Sequence, residues 1–593
     1  MIILQSGRKL KVSSILRCVF KSYNSNHTMK NLTIPTICLL SILLWSAQIV
    51  LAQKKAALIG QYFTKATKDG FRGVALVAQK GKVIFAKGYG LADREKNLAY
   101  DQNSVFSIGS ITKQFTGAAI MKLEMEGKLK TSDLMSKYLP NVPAKMQKIT
   151  LHHLLTHSAG LPGSIGQDEE LIDAQAYLKR LYSEGLGESF GSFAYSNVGY
   201  SLLAMVVEKA SGMSYEKYLQ QKLFKPAGMT QTGYVLPKWK NENIVIGYRG
   251  KTRWGAVHRI SQYHKGVTYH LRGNGGIMST VLDMHKWYKA IKNNTVLSKA
   301  ATKKYLAKQI LIREGRHYDY GWITEQKEGR IMIWHTGGNN YFMNYMGFYP
   351  DKDLMIFVGC NTGQDPTPYA DKVDEIMHGE FKAMDASLAK QYTGNYQLPS
   401  GQKFQVHFNA NNQLVIQINR PELYATFLGT GKEDKKKAQN YDNKTREMIT
   451  PLLKQDYAAY AKLESQYVAN SSAAEIEQGV KEDFGRMMQT MGKPQSIKVL
   501  GSVARQGGKY YLTGSRITFA KAGTQTNMYF FYYWDGKRLV DIDSRSEDAM
   551  IKRFDQQEGK KFFARSNQLA IELITKKGAP ALRVGNGLIL RRL

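Results

Sequence analysis

Cysteine is nearly absent from this sequence. Three occur in 593 residues, at Cys18, Cys38 and Cys360, too few for a disulfide scaffold or an all-cysteine zinc site. Proline is also sparse, at 14 residues, and the 53 glycines follow no collagen-like period. No HExxH zinc motif is present, and Gly431-Lys432 is followed by Glu433 where a phosphate loop needs Ser or Thr. What remains is ordinary globular material, 43% hydrophobic and 22% charged, in a chain long enough for two or three domains.

Acidic residues are outnumbered. Lys and Arg total 83 against 48 Asp and Glu, a formal charge of +35 that favours anionic partners. The cations are scattered, and the densest run, Lys435-Lys436-Lys437, follows Glu433-Asp434 and reads as a solvated loop. With no RNA-binding aromatic signature and no zinc-finger spacing, nucleic acid is not an expected partner.

The first 52 residues contain no acid, six cations and an apolar run, Ile37 to Ala52, inside an uncharged stretch from Asn31 to Gln53. A basic flank, a short apolar run and a small residue predict a secretory signal cleaved after Ala52. Met29-Lys30 makes a more natural start than Met1. An uncleaved membrane anchor is the alternative, because the uncharged stretch is nearly long enough to span. Either way the bulk of the chain is expected outside the cytoplasm, periplasmic or extracellular, and membrane contact follows only if the segment is retained. Cleavage would leave Cys360 as the one thiol, in the apolar run Leu354 to Cys360, a core position rather than a nucleophile.

Beyond Gln53 the pattern predicts a helix to about Lys68 and a β-hairpin from Val74-Ala78 and Val83-Ala86. Mostly helical sequence runs from Ser104 to Ala290. Strand-like runs return at Ile331–Trp334, Tyr345–Tyr349 and Leu354–Cys360, and a helix follows from Tyr369 to Met384. Strands at both ends with helices between predict an α+β domain over 53–385, one sheet assembled from both termini with a helical subdomain inserted. Residues 386–593 read as a smaller α+β accessory region. Strand-like alternation is expected over Phe404–Ile418 around a turn at Asn409-Ala410-Asn411-Asn412, with further strands at Tyr510–Phe519, Met528–Trp534 and Leu569–Ile574 and helices at about Met448–Val468 and Ala473–Met491.

Several matches to site patterns carry no weight. His153 and His157 are spaced i, i+4 without an acidic ligand between them and read as structural. Gly187-Glu188-Ser189-Phe190-Gly191 fits a nucleophile elbow, but no apolar strand precedes it. Ser-x-x-Lys occurs five times, and context separates one match. Ser110-Ile111-Thr112-Lys113 follows apolar Val105–Ile108 and opens an apolar-faced helix. Residues i and i+3 share a helix face, so the amine reaches the hydroxyl. A lysine acts as base there only if burial or a nearby cation destabilises its ammonium. Tyr195-Ser196-Asn197 and His335-Thr336-Gly337-Gly338 complete an ordered set holding a nucleophile, proton acceptors and a basic strand, the inventory acyl transfer needs.

The chain here resembles the serine β-lactamase-like family, which includes class C β-lactamases, penicillin-binding-protein-like D-Ala-D-Ala peptidases, D-aminopeptidases and related esterases. The resemblance is carried by Phe106–Lys113, Leu154-Leu155-Thr156-His157-Ser158-Ala159-Gly160-Leu161-Pro162, Tyr195-Ser196-Asn197, Gly273–Thr280 and His335–Gly338, and covers about Ala57 to Met384. It implies an antiparallel sheet packed by helices, with the site in a cleft against the helical subdomain. It implies that Ser110 forms an acyl-enzyme, that Lys113 and Tyr195 share general-base duty in an order left open, and that Asn197 binds a substrate amide. The N–H groups of Ser110 and Gly338 would form an oxyanion hole, Thr336 and Gly337 would line the substrate, and no metal or cofactor is required. His335 departs from the lysine usual at that position, which argues against efficient β-lactam hydrolysis. Expected substrates are a small ester or a D-amino-acid peptide or amide, peptidoglycan fragments among them. A catalytically inactive wall-fragment binder is the alternative.

Overall fold

A computed structural model of the chain describes residues 34–593 except 169, 188–189, 241–242, 250–251, 258–266, 328, 340, 382–384, 419, 429–433, 469–471, 506–509, 522, 546–550, 559, 565–568, 577 and 585–587. The chain divides into two units, Met1–Leu58 and Ile59–Leu593. Helix α1, Ile34–Lys68, starts well before the helix expected after Gln53. Among the described residues no helix is long and apolar enough to cross a membrane.

In the second unit, β1 (Gly73–Gln79) and β2 (Lys82–Tyr89) form the hairpin the sequence predicts. The helical stretch follows, including α2 (Thr112–Met125) and α3 (Asn197–Ser211). Six strands then meander: β3 (Ile310–Arg313), β4 (Arg316–Tyr318), β5 (Ile323–Lys327), β6 (Arg330–Gly338), β7 (Met343–Tyr349) and β8 (Leu354–Cys360). Helix α4 is Thr367–His378. The sheet order is β2-β1-β8-β7-β6-β5-β4-β3, antiparallel throughout, so early and late strands meet at β1 and β8 with Gly73 opposite Cys360.

Strand alternation divides this sheet's core in two. Val74, Leu76, Met355 and Phe357 face the helical subdomain, joining Phe115, Leu154 and Tyr200. Ala75, Val77, Ile356, Val358 and Cys360 face the other way, against Ile59, Phe63 and Ala66 of α1 and Val373 and Ile376 of α4. Burial on both faces explains why β8 reads as one unbroken apolar run. Cys360 is buried, and burial pushes its thiol pKa up, as befits a core residue.

Beyond α4 lies a closed barrel of eight strands between Gly394 and Arg592, sealed by Tyr396 opposite Arg592. Between its third strand, Leu414–Gln417, and its fourth, Ile551–Glu558, the chain inserts helices and a four-stranded sheet spanning Lys493 to Arg545. The barrel touches the α1 side of the large sheet, where Asp69 Oδ2 accepts from Ala410 N at 2.6 Å and Tyr62 donates to Asn411 Oδ1.

Two local expectations are corrected. Lys435-Lys436-Lys437 is no loop but the first turn of helix Lys435–Ile449, because Asp434 Oδ1 accepts from Lys436 N at 2.9 Å and Lys437 N at 3.1 Å as an N-cap. The single helix expected at Met448–Val468 is broken into the end of that helix, a 3₁₀ turn Thr450–Lys454 and helix Tyr457–Glu464. Thr450 keeps helical dihedrals, φ −57° and ψ −39°, but Pro451 has no N–H to continue the α-helical ladder, and the chain tightens into the 3₁₀ turn there.

Candidate active site

Ser110 lies in a 3₁₀ turn, Gly109–Ile111, that runs directly into α2. Gly109 holds φ +55°, and a Cβ there would lie 2.3 Å from Gly338 N. On the facing strand a Cβ at Gly337 would lie 2.1 Å from Ile108 O and 2.8 Å from Ser110 N. The serine turn and the end of β6 therefore approach closely enough that only glycine fits on either side. That approach brings the N–H groups of Ser110 and Gly338 into one neighbourhood. Asn344 on β7 fastens it, its Nδ2 donating to Ser107 O at 2.9 Å and to Gly337 O at 3.3 Å.

Lys113 is one turn further along α2 and fully buried. Its Nζ is 3.1 Å from Ser110 Oγ, 2.7 Å from Asn197 Oδ1 and 2.9 Å from Asn274 O. Burial pulls its pKa well below the ordinary lysine value, with Asp168 acting weakly in the opposite sense. The three contacts also suit an uncharged amine: two N–H bonds go to the amide oxygens and the lone pair faces the Ser110 hydroxyl. Asn274 is itself fixed, its Nδ2 donating to Ser201 Oγ and His270 O at 2.8 Å each.

Tyr195 and Asn197 arrive from the other side. Ser196 caps α3, its Oγ accepting from Gly199 N at 3.2 Å, which leaves Asn197 in the first turn with its oxygen on Lys113. Tyr195 lies beside Ser110, whose hydroxyl acts on its phenol, and Lys113 Nζ is 4.9 Å from its ring centre. Tyr195 is 39% exposed as a residue, yet its phenol is desolvated by the groups packed around it. That desolvation raises the phenol pKa, against a smaller lowering by the neighbouring Ser110 hydroxyl. Burial thus favours the uncharged form of both groups, keeping the proton on the phenol and weakening the lysine's hold on its own.

His335 is 3% exposed and does not open onto the cleft as a cation. Its Nδ1 donates to the Thr336 carbonyl and its Nε2 accepts from Tyr318 Oη at 3.1 Å, which fixes one neutral tautomer. Burial, reinforced by Lys113, lowers its pKa to about 4 against a small raising by the Thr336 bond. Its ring centre lies 6.4 Å from that of Tyr195. Thus Ser110, Lys113, Tyr195 and Asn197 meet directly. Gly337 and Gly338 press on the serine turn, Thr336 is partly buried beside them, and His335 stands behind Tyr195.

Sequence reasoning missed Tyr318 and Asn344, neither of which lies in a short motif pointing to this chemistry, and it gave no role to Asn274 within the Gly273–Thr280 stretch. It also left His157 without a role, although that ring packs 4.2 Å from Tyr195. The elbow-like match is preceded by helix Ala174–Glu184 rather than a strand, and Glu188 and Ser189 lie outside the described residues. No group of His, Cys, Asp or Glu able to hold a metal occurs among the described residues.

A solved octameric penicillin-binding protein homologue from Pyrococcus abyssi shares the fold at 21% identity. The alignment covers 82% of this chain and 99% of that one with a TM-score of 0.50. Penicillin-binding protein 4* of Bacillus subtilis is 28% identical over 60% of this chain and 85% of its own length. The putative penicillin-binding protein PbpX of the same organism is 34% identical over 40% of this chain, which spans 58% of that protein. The beta-lactamase family profile matches residues 58–378, which contain every residue of the assembled site, and the chain belongs to that family.

Proposed function

We propose that this protein is an exported serine hydrolase that takes an acyl group from an ester or amide onto Ser110 and passes it to water. The observation that carries this reading is the buried Lys113 amine, held by two amide oxygens with its remaining contact on Ser110 Oγ. In that reading Lys113 accepts the Ser110 proton as Oγ attacks the carbonyl carbon. The N–H groups of Ser110 and Gly338 stabilise the oxyanion. Collapse then breaks the bond to the leaving group, which takes its proton from the Lys113–Tyr195 pair. Water repeats the sequence on the acyl-enzyme and frees Ser110. Tyr195, holding its proton at neutral pH, relays rather than initiates. Asn197 gives its oxygen to Lys113, which leaves its amide nitrogen to meet a substrate carbonyl.

The neutral His335 offers no cation to a substrate carboxylate, which supports small esters and D-amino-acid amides over β-lactams as substrates. Export is supported by the uncharged apolar run behind a basic flank at the amino terminus, and the net positive charge suits anionic wall fragments. Turnover of p-nitrophenyl acetate, D-alanyl p-nitroanilide and nitrocefin, measured on the wild type and on Ser110→Ala, tests the reading. Ester or anilide hydrolysis lost in Ser110→Ala is expected, with nitrocefin the slowest of the three. Hydrolysis that persists in Ser110→Ala contradicts it.

A further inference from the structure

Tyr195 and Asn197 belong to a segment, Ala194 to Asn197, with no strand partner of its own among the described residues. Three residues hold it: Pro162 O accepts from Ser196 Oγ at 2.6 Å, Gly163 O accepts from Asn197 N at 2.8 Å, and His157 makes two further bonds around Tyr195. The Ala194 N–H donates to His157 O at 2.8 Å, and the Ser196 N–H donates to His157 Nδ1 at 3.0 Å. Tyr195 lies between these two anchors, its ring centre 4.2 Å from the imidazole. His157 can offer its carbonyl and its ring to the same segment because it adopts φ +57° just past helix Leu151–Leu155. That left-handed conformation is uncommon outside glycine and asparagine.

The imidazole is 1% exposed and enclosed by Phe193, Tyr200 and Tyr318, with ring centres 5.9, 5.1 and 4.4 Å away. Accepting at Nδ1 places its proton on Nε2, and that atom is buried with no hydrogen-bond partner. A buried N–H left unpaired is a penalty that an apolar side chain of the same volume would avoid. Burial first, then the nearby Lys113 and His335, hold the ring neutral against the smaller effect of the Ser196 bond, so Nδ1 stays an acceptor.

We propose that His157 is a positioning residue of this site: through Ser196 and Ala194 it sets the Tyr195 phenol against Ser110 and Lys113, and with Pro162 and Gly163 it holds the turn that presents the Asn197 amide. The inference rests on the acyl-transfer reading above and adds a residue that acts through others.

Three variants separate its possible contributions. His157→Leu keeps volume, His157→Gly keeps only the freedom to adopt positive φ, and His157→Asn keeps both that freedom and an acceptor at the position of Nδ1. Turnover of p-nitrophenyl acetate is measured on the full chain and normalised to the folded fraction from thermal melts. Because misplacing catalytic groups by about 1 Å costs on the order of 100-fold, kcat is expected to fall about 30- to 100-fold in Leu and Gly. KM should change little, and Asn should stay within about fivefold of wild type. Leu or Gly matching Asn, equal losses in all three, or losses confined to KM overturn the positioning role. An inactive wild type instead overturns the acyl-transfer reading itself.

Discussion

Lys113 Nζ stands 3.1 Å from Ser110 Oγ, one helical turn away, and the amine is fully buried. Distance alone would permit an ordinary hydrogen bond between an ammonium and a hydroxyl. Burial changes its meaning, because the medium that lowers the Lys113 pKa makes the neutral amine available as a base.

Removing the base should abolish most turnover without removing the nucleophile. Lys113→Ala and Lys113→Arg are both expected to lower kcat by about 10²- to 10⁴-fold, because arginine keeps the charge and cannot release its proton. Steady-state kinetics on p-nitrophenyl acetate check this. An active Lys113→Arg would show that charge, not proton transfer, is what the position supplies.

The same lysine shapes stability against pH. Its folded pKa is depressed, so between that pKa and about 10.4 the unfolded chain binds a proton that the folded chain does not. Stability from this group therefore rises with pH across that window and levels off above it. Lys113→Met should raise the urea midpoint at pH 7 and flatten this rise, as equilibrium melts at several pH values would show.

His335 contributes in the same direction at lower pH. Its folded pKa of about 4 lies below the ordinary 6.5, so the unfolded chain protonates first as acid is added. The contribution is fully present above pH 6.5 and is lost as the pH falls toward 4. His335→Gln, which never takes the proton, should lose less stability than wild type between pH 7 and pH 5. A parallel loss in both would place the titration elsewhere.

The glycine pair at the serine turn predicts a steric failure. Gly337→Ala puts a methyl 2.1 Å from Ile108 O and should push β6 away from Ser110. The expected cost is about 1–3 kcal/mol of stability from overpacking, and losing one oxyanion donor lowers kcat by about 10²- to 10³-fold. Gly479, on helix Ala473–Met491, meets nothing within 4 Å. Gly479→Ala should leave kinetics alone and add about 0.5–1 kcal/mol. Chemical melts and kcat on both variants make the comparison.

The barrel touches the large sheet on the face turned away from the site. Asp69→Ala removes the acceptor for Ala410 N and should cost about 1 kcal/mol while leaving turnover of the folded protein unchanged. A fall in kcat would mean that the barrel reaches the chemistry.

Much of the large sheet and the motif-bearing side chains could be read from sequence because local chemistry dictates them. β8 is apolar along its whole length because both faces are covered. Ser110 and Lys113 share a helix face whatever surrounds them. Tyr318 and His157 could not be read that way: Tyr318 matters through a bond to His335 seventeen residues on, and His157 through a segment thirty-nine residues on. Closure of the barrel depends on Tyr396 meeting Arg592 across nearly two hundred residues, which no local pattern records. The lysine run misled because one carboxylate, Asp434, outweighs three solvated cations in deciding whether a helix starts.

The central claim is a covalent one, that an acyl group rests on Ser110 during turnover. Rapid acid quenching during hydrolysis of a p-nitrophenyl ester, followed by intact-mass and peptide mass spectrometry, reads it directly. The account predicts wild-type protein heavier by one acyl group, with the added mass on the peptide containing Ser110 and none on Ser110→Ala. Acyl mass on another residue, or equal labelling of Ser110→Ala, would contradict it.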